Sequence, residues 1–252
     1  MKKESKNFSL PELRHDGERF WKGQKMLVIS PHPDDEAFGC GGTMAKAKAL
    51  GCEVYLMVFS VGDLNFFEKK KWVTARERLQ ELKKVSNILG LDGCEVLYTD
   101  AKTHLRLDAI PRRDLIAKIE TESSVSLNRI RPTILAIPAP SYNQDHEAVF
   151  KAGLAAARIH AGGIKANPPA VLVYDSPTLS WNEAGREFRP NFYVDISDYL
   201  EIKLKLIRTY SSQRRHPNDP ASLESLEDLT RARGREAGRA ACEAFEARRL
   251  IF

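Results

Sequence analysis

Short apolar runs alternate with helical segments along most of the chain, and this alternation constrains the fold more than any other feature of the sequence. Five runs have the length and apolar character of buried strands, at 25–30, 52–60, 94–99, 133–140 and 170–175. Strands separated by helices indicate crossover connections, which join parallel strands. The alternation therefore predicts an α/β fold, a three-layer sandwich with a mainly parallel, Rossmann-like sheet.

The segments between the strands have apolar residues at helical spacing, with proline or glycine at several of their boundaries. We expect helices at 41–51, 74–90, 111–123, 144–160, 199–212 and 222–249. The sequence between 61 and 72 predicts a polar loop whose aromatic residues Phe66, Phe67 and Trp72 either cover a sugar or anchor the loop to the core. Trp181 lies in a second irregular segment, where it either borders a pocket or packs.

Length and composition favour one domain. A chain of 252 residues with 42% apolar residues can bury one sizeable core, so we expect a single domain over 1–252 with a polar lead-in at about 1–20. No signal-peptide core and no apolar run near the ~20 residues of a membrane helix are visible, which predicts a cytoplasmic protein without stable membrane insertion. The four cysteines lie apart without CxxC pairing and predict free thiols.

The net charge of +5 raises the question of nucleic-acid binding. Between 201 and 252 the basic residues are mixed with acidic ones at helical spacing, which is typical of a solvated helix surface. No basic stripe with interleaved aromatic residues is present in the sequence. We therefore expect no nucleic-acid partner.

Two polar motifs follow separate predicted strands. PHPDDE (31–36) comes directly after the first strand, and SYNQDHEA (141–148) follows the fourth. Ligands of open α/β sheets bind outside the carboxyl ends of the strands, so we expect both motifs at one sheet edge. His32, Asp35 and His146 then form a 2-His-1-carboxylate set, which suits Zn²⁺ but also Fe²⁺ or another divalent metal.

The other acids of the first motif have separate expected roles. Asp34 is adjacent to a metal ligand but itself free, and we expect it to accept a proton from water whose pKa the ion lowers to about 7. Glu36 favours the positive end of the following helix. The alternative is an ordinary acidic turn between a strand and a helix, with no metal.

These motifs resemble those of the LmbE / PIG-L deacetylases, whose members remove the acetyl group from N-acetylglucosamine-bearing conjugates. The resemblance covers most of the chain and is most specific in PHPDDE with the following glycines, in RLQELKKVSNILG (78–90) and in NQDHEAV (143–149). It implies an LmbE-like fold and a small N-acetylated amino sugar as substrate.

The resemblance also implies roles for individual residues. His32, Asp35 and His146 match the zinc ligands of the family, and Asp34 matches its general base. Arg78 matches an arginine that neighbours the substrate.

One position departs from the commoner family pattern. Many members have histidine where this chain has Asn143, and that histidine is thought to protonate the leaving amine or to stabilise the oxyanion. Asparagine can donate a hydrogen bond to an oxyanion but cannot shuttle a proton near neutral pH, so the general acid stays open. Asp34 is one candidate, and His104 and His216 are spare ones, although a lone histidine is more often structural. Asp145 is expected to orient a neighbouring histidine.

Two other classes of protein are alternatives. GCGG (39–42) resembles the start of the GxGxxG fingerprint of a nucleotide-binding Rossmann module, but Met44 stands where the last glycine belongs, and the preceding acids would repel a pyrophosphate. The second is a non-catalytic sugar-binding protein, and the complete ligand set with Asp34 argues against it. The sequence leaves open which N-acetyl sugar conjugate binds and whether the chain forms a homo-oligomer.

Overall fold

The computed structural model describes residues 19–66, 71–160, 165–175 and 188–251. Phe67, Trp181 and all but the last two residues of the expected lead-in lie outside these ranges, and of Phe66 only the backbone is described. Within the described ranges no helix combines the length and the apolar character needed to cross a bilayer. Cys40, Cys52, Cys94 and Cys242 are all free thiols, as expected.

Within the described ranges the central sheet contains seven strands. Five run parallel, β1 (Lys25–Ser30), β2 (Glu53–Ser60), β5 (Gly93–Tyr98), β6 (Ile134–Pro138) and β7 (Ala170–Tyr174). Two more, β8 (Phe192–Asp195) and β9 (Cys242–Leu250), add an antiparallel edge. The strand order is β5-β2-β1-β6-β7-β9-β8, and β3 (Leu64–Phe66) with β4 (Lys71–Val73) forms a separate hairpin.

Helices cover both faces of this sheet. They are α1 (Asp35–Ala49), α2 (Ala75–Leu89), α3 (Arg112–Ala117), α4 (Leu127–Ile130), α5 (Gln144–Ala156), α6 (Leu200–Thr209) and α7 (Leu223–Glu236). Successive residues of a strand point to opposite faces. Met26 and Val28 of β1 accordingly join a core that contains residues of α1, α2, α6 and α7, whereas Leu27 and Ile29 join a second core with residues of α3 and α5. The predicted three-layer sandwich is confirmed.

The predicted helix over 222–249 is wrong in its second half. Helix α7 ends at Glu236, Gly238 adopts a left-handed φ of 66°, and strand β9 follows. Glu243 and Glu246, whose spacing suggested a solvated helix surface, are buried within this strand. Their partners come from other parts of the chain, such as Lys203 for Glu243, and local charge spacing cannot show this.

The polar loop predicted between 61 and 72 contains the hairpin of β3 and β4. Trp72 of β4 is 60% exposed, so the expectation that it anchors the loop to the core is wrong. An exposed aromatic side chain is compatible with the other expectation, that it covers a sugar.

The glycine cluster 39–42 lies inside α1, which begins at Asp35 rather than at the predicted position 41 and is kinked at Cys40. A Cβ on Gly39 would lie 2.2 Å from the ring of Tyr174, and one on Gly42 would lie 2.5 Å from Ile196. Only glycine permits this close approach of the helix to its neighbours. The cluster therefore serves packing.

The buried ion pair of Lys203 and Glu243 binds the backbone groups that lie on either side of the kink in α1. Glu243 accepts the N–H groups of Gly42 at 2.9 Å and Thr43 at 2.6 Å, while Lys203 donates to the carbonyl of Phe38 at 2.7 Å and to Glu243 itself. A nucleotide-binding module would offer such N–H groups to a pyrophosphate. Because a side chain of this protein already occupies them, the nucleotide-binding alternative loses its basis.

Candidate active site

Strands β1 and β6 are neighbours, but the chain reaches them from opposite directions. It moves outwards from β1 through β2 to β5 and then returns to β6 on the other side of β1. The loops after two such strands diverge and leave a crevice at their carboxyl ends. PHPDDE leaves β1 and SYNQDHEA leaves β6 at this switch point, so the two motifs meet as predicted.

His32, Asp35 and His146 form a compact cluster in this crevice. The ligand atoms that they offer all lie within 4.8 Å of one another. Asp35 Oδ2 is 3.5 Å from His32 Nδ1 and 3.3 Å from His146 Nε2. Two ligand atoms that are each about 2.1 Å from a tetrahedral ion are about 3.4 Å apart, so the donor types and their spacing fit a divalent cation.

Asp145 holds the His32 ring from its other side. His32 Nε2 donates to Asp145 Oδ2 at 2.9 Å, and Asp145 Oδ1 accepts the Leu107 N–H at 2.9 Å. This bond turns His32 Nδ1 towards Asp35. Histidines that bind metals almost always donate their second ring N–H to a carboxylate, a carbonyl or water, and the buried Asp145 provides that contact here.

The electrostatics of the cluster set its protonation. Burial lowers the pKa of His32, but the hydrogen bonds and charges of Asp145 and Asp35 outweigh burial and raise this pKa to about 9. Burial also opposes ionisation of Asp35, yet the adjacent His146 and His32 hold the pKa of that carboxyl well below its usual range. At neutral pH Asp35 is therefore a carboxylate, and His32 carries a proton that a cation must displace.

Asp34 has a backbone conformation that is uncommon outside glycine, with φ 117° and ψ −34°. It occupies the N-cap of α1, but its side chain makes no capping bond to that helix. Burial and the charge of Asp35 raise its pKa well above the usual range, against the opposing charge of Arg78. Its carboxyl is uncommitted to the helix and has the raised pKa that suits a proton acceptor.

Arg78 extends from α2 into the same crevice, where it is buried. Its Nη1 donates to His104 Nε2 at 3.1 Å, and its Nη2 donates to the Pro33 carbonyl of the first motif at 3.4 Å. Among the described residues its Nε has no acceptor. Arg78 therefore lies next to the site, as predicted, and its guanidinium is held against the PHPDDE motif.

His104 belongs to the site, although the sequence offered it only as a spare acid. Its ring lies edge-on to His32 with 5.2 Å between centroids, and its Nδ1 hydrogen-bonds to Ser60 Oγ at 3.1 Å. Burial, together with the positive charges of His32 and Arg78, lowers its pKa to about 3. A neutral imidazole with both nitrogens engaged is unsuited to donate a proton, and it holds Arg78 in place instead.

The other candidates have structural contacts. His216 is exposed, takes no part in the cluster, and accepts the Asn218 N–H at 3.2 Å. Asn143 is the N-cap of α5, where its Oδ1 accepts the Asp145 N–H at 2.9 Å. Because capping fixes the carboxamide oxygen, the Asn143 NH₂ group remains as the donor.

Glu36 has contacts that the sequence did not reveal. It lies in the first turn of α1 as expected, but it is fully buried rather than solvated. The hydroxyl of Tyr210 donates to Glu36 Oε1, and the Asp34 N–H donates to Oε2 at 3.1 Å. Burial raises the pKa of Glu36 to about 7 despite these bonds. No local signal predicts the contact, because Tyr210 is 174 residues away in sequence.

Comparisons with known proteins agree with this geometry. The family model PIG-L: GlcNAc-PI de-N-acetylase matches residues 27–157. Diacetylchitobiose deacetylase of Thermococcus kodakarensis is 30% identical over 75% of this chain and 70% of its own length. A probable N-acetyl-alpha-D-glucosaminyl L-malate deacetylase 2 of Bacillus cereus is 30% identical over 75% of this chain and 83% of its own.

A solved structure extends the likeness beyond the matched motifs. The conserved protein TT1542 from Thermus thermophilus is 26% identical, and its structure superposes with a TM-score of 0.68 over 91% of this chain and 96% of its own. The likeness therefore includes the C-terminal part that the family model leaves unmatched. By its two motifs at the switch point and by these matches in sequence and structure, the chain belongs to the PIG-L (LmbE) family of deacetylases.

Proposed function

We propose that this protein is a metal-dependent hydrolase that removes the acetyl group from an N-acetylglucosamine-type sugar conjugate. The observation that carries the proposal is the cluster of His32, Asp35 and His146 beside the uncommitted carboxyl of Asp34. The names of the two deacetylase relatives support the substrate class. We propose Zn²⁺ as the ion, with Fe²⁺ as the alternative, since two imidazoles and one carboxylate suit both.

His32 Nδ1, Asp35 Oδ2 and His146 Nε2 would hold the ion. When bound, such an ion polarises an amide carbonyl and lowers the pKa of water. Asp34 accepts a proton from the water that attacks the acetyl carbon. The same carboxyl then gives this proton to the sugar nitrogen as the C–N bond breaks, so acetate and a free amine leave. His104, a spare histidine of the crevice among the described residues, is neutral and engaged on both ring nitrogens.

Two further side chains act on the substrate in this proposal. The NH₂ group of Asn143 donates to the oxyanion that forms on the acetyl oxygen, in place of the histidine of other members. Arg78, oriented by His104 and by the Gly62 and Pro33 carbonyls, directs the unused N–H of its Nη2 towards a hydroxyl or another oxygen of the conjugate.

The test measures acetate and free amine after the chelator-treated protein is reloaded with Zn²⁺ or Fe²⁺. N-acetylglucosamine and N,N'-diacetylchitobiose serve as substrates, and elemental analysis gives the ion content. We expect equal amounts of acetate and amine, in proportion to the ion bound. A protein that binds one ion but releases no acetate from either compound, or from larger N-acetylglucosamine conjugates, would refute the proposal.

A matched pair of histidine variants tests the ligand set. His146→Ala removes one of three protein ligands, so we expect it to lose both the ion and acetate release. His216→Ala removes an exposed histidine outside the cluster and should retain both. Full ion occupancy in His146→Ala would show that the ligands lie elsewhere.

A further inference from the structure

We propose that Glu36 and Tyr210 are positioning residues that hold the Asp34 carboxyl in the place from which it moves a proton. This inference rests on the proposed function, because it assigns a purpose to Asp34 as the base. Neither residue contacts the reacting atoms. Both act through the backbone of Asp34.

The first observation is the way in which the Asp34 backbone is clamped. Its carbonyl accepts the N–H groups of Ala37 and Phe38, each at 3.0 Å, and its own N–H donates to Glu36 Oε2 at 3.1 Å. A non-glycine residue with φ 117° is strained and persists only where its surroundings impose it. Glu36 provides the contact that holds the N–H side of this peptide.

The second observation is that Asp34 forgoes the usual role of an N-cap residue. An aspartate at this position normally accepts an N–H from the first turn of its helix, which would turn its carboxyl towards the helix. Asp34 makes no such bond. With the backbone rotated by the clamp, the carboxyl is left available in the crevice, next to Asp35 and Arg78.

The third observation is the origin of the clamp. Glu36 is fully buried, and Tyr210, which immediately follows α6, is 2% exposed. The Tyr210 hydroxyl donates to Glu36 Oε1, and the Ser30 hydroxyl donates to Oε2 at 3.4 Å, so the two hydroxyls together orient this carboxylate. Tyr210 is itself placed by the adjoining 3₁₀ turn, since Ser211 and Ser212 donate to Glu81 of α2. The contacts link α6 and α2 to the backbone of a single residue in the first motif.

The experiment removes only the hydroxyl, with Tyr210→Phe. Misplacement of a reacting group by about 1 Å can cost about 100-fold, so we expect kcat to fall about 10- to 100-fold while KM and the bound ion stay unchanged. Tyr193→Phe is the matched control, because the Tyr193 hydroxyl also donates to a glutamate, Glu236 at 2.9 Å, but Tyr193 belongs to the edge strand β8, away from the first motif. It should keep its kcat. A loss of thermal stability in Tyr210→Phe with kcat unchanged would reduce Glu36 and Tyr210 to a structural pair and overturn the proposal.

A double-mutant cycle separates positioning from other roles. If Tyr210 acts through Asp34, the Tyr210→Phe substitution should have less than about a twofold effect on the residual kcat in an Asp34→Asn background, because contacting residues are coupled. The full loss in that background would overturn the proposal.

Glu36→Gln is the conservative variant, and it separates geometry from charge. Its amide oxygen can accept the Asp34 N–H while its NH₂ donates to the Tyr210 oxygen, so we expect at most about a fivefold loss of kcat, the equivalent of one net hydrogen bond. A loss in Glu36→Gln as large as that in Tyr210→Phe would mean that the charge of Glu36 matters more than its position, which would also overturn the proposal.

The structure of Tyr210→Phe gives a readout that does not depend on activity. We expect Asp34 to leave its left-handed conformation or its carboxyl to move, and an unchanged Asp34 would overturn the proposal. If the parent protein releases no acetate, the proposed function fails by itself, and this structure still decides whether Tyr210 positions Asp34.

Discussion

Helix α1 has a buried charged group at each of two places, and the two differ in how completely their charges are satisfied. At the start of the helix lies the site cluster, defined here as His32, Asp34, Asp35, Asp145 and His146. At its Cys40 kink lies the kink ion pair, defined as Lys203 and Glu243. The side chains of the pair are only 1% and 2% exposed, whereas that of Asp35 is 12% exposed.

Both charged groups of the kink ion pair have several hydrogen-bond partners. Both carboxylate oxygens of Glu243 accept backbone N–H groups, and Lys203 donates to two carbonyls and to Glu243. The site cluster instead places Asp34 and Asp35 side by side, and burial together with the charge of Asp35 raises the pKa of Asp34. Buried charges that all have partners stabilise the packing of a helix on a sheet. Buried charges that repel one another are typical of functional sites, where a bound ligand can compensate them. Substitutions in the site cluster should therefore lower the rate of the reaction, whereas substitutions in the kink ion pair should lower the stability of the fold.

The largest expected effect is on rate, in the site cluster. Asp34→Asn should lower kcat by about 10² to 10⁴-fold, the usual contribution of a general base, while the bound ion stays. Its free energy of unfolding should not fall, because the substitution removes repulsion with Asp35. Acetate release, elemental analysis and thermal unfolding measure these three quantities, with the exposed Asp108→Asn as control. Near-normal deacetylation by Asp34→Asn would end the assignment of the base.

The kink ion pair should show the opposite behaviour. Lys203→Met leaves the buried Glu243 charge without its cation, so the free energy of unfolding should fall by about 3–5 kcal/mol. The folded fraction should keep its ion and its kcat. Urea unfolding measures the loss, with Lys205→Met on the exposed face of the same helix as control.

A double variant tests the cause of that loss. Adding Glu243→Gln to Lys203→Met removes the stranded charge while retaining an acceptor for the helix N–H groups, and we expect it to recover part of the stability. A loss that stays as large in the double variant would mean that packing rather than charge holds the kink.

Asn143 combines the two kinds of role in one side chain, because Oδ1 caps α5 and the NH₂ group is the proposed oxyanion donor. Asn143→Asp keeps a good cap but removes the donor, so it should lose about 10- to 1000-fold in kcat with little change in stability. Asn143→Ala should in addition lose about 1 kcal/mol of stability with the cap. If both variants turn over like the parent enzyme, Asn143 only caps the helix.

A change of pH tests the site cluster without any substitution, through the pH dependence of ion binding. In the metal-free protein the pKa of His32 is about 9, so below that pH an ion must displace one proton. The apparent affinity should therefore fall about tenfold for each pH unit below 9. Competition with a chelator between pH 6 and pH 9 measures this slope.

Asp145 supplies the control for that slope. Asp145→Asn removes the carboxylate that helps to raise the pKa of His32, so the pH dependence should move to lower pH, and the affinity should fall by about 10- to 100-fold. An affinity that does not change with pH in the parent protein would show that His32 gives up no proton in this range and would contradict its raised pKa.

The sequence predicts those parts of the structure that depend on residues close together in the chain. The five parallel strands and most helices are local patterns of apolar residues, and the sequence predicts them well. His32, Asp35 and His146 could be grouped in advance because the carboxyl ends of β1 and β6 meet wherever such a sheet forms. Strand β9 was missed because its glutamates are neutralised by partners that no local pattern reveals.

The sequence by itself determined the sheet, the crevice and the types of side chain that enter it. Only the tertiary structure decided what orients them, namely Asp145 against His32, His104 against Arg78, and Tyr210 against Glu36. The first and last of these contacts join residues 113 and 174 positions apart. Periodicity and motif spacing report which face or edge of the sheet a residue occupies, but the direction of a single hydrogen bond depends on how distant elements pack, and that is settled only when the whole core closes.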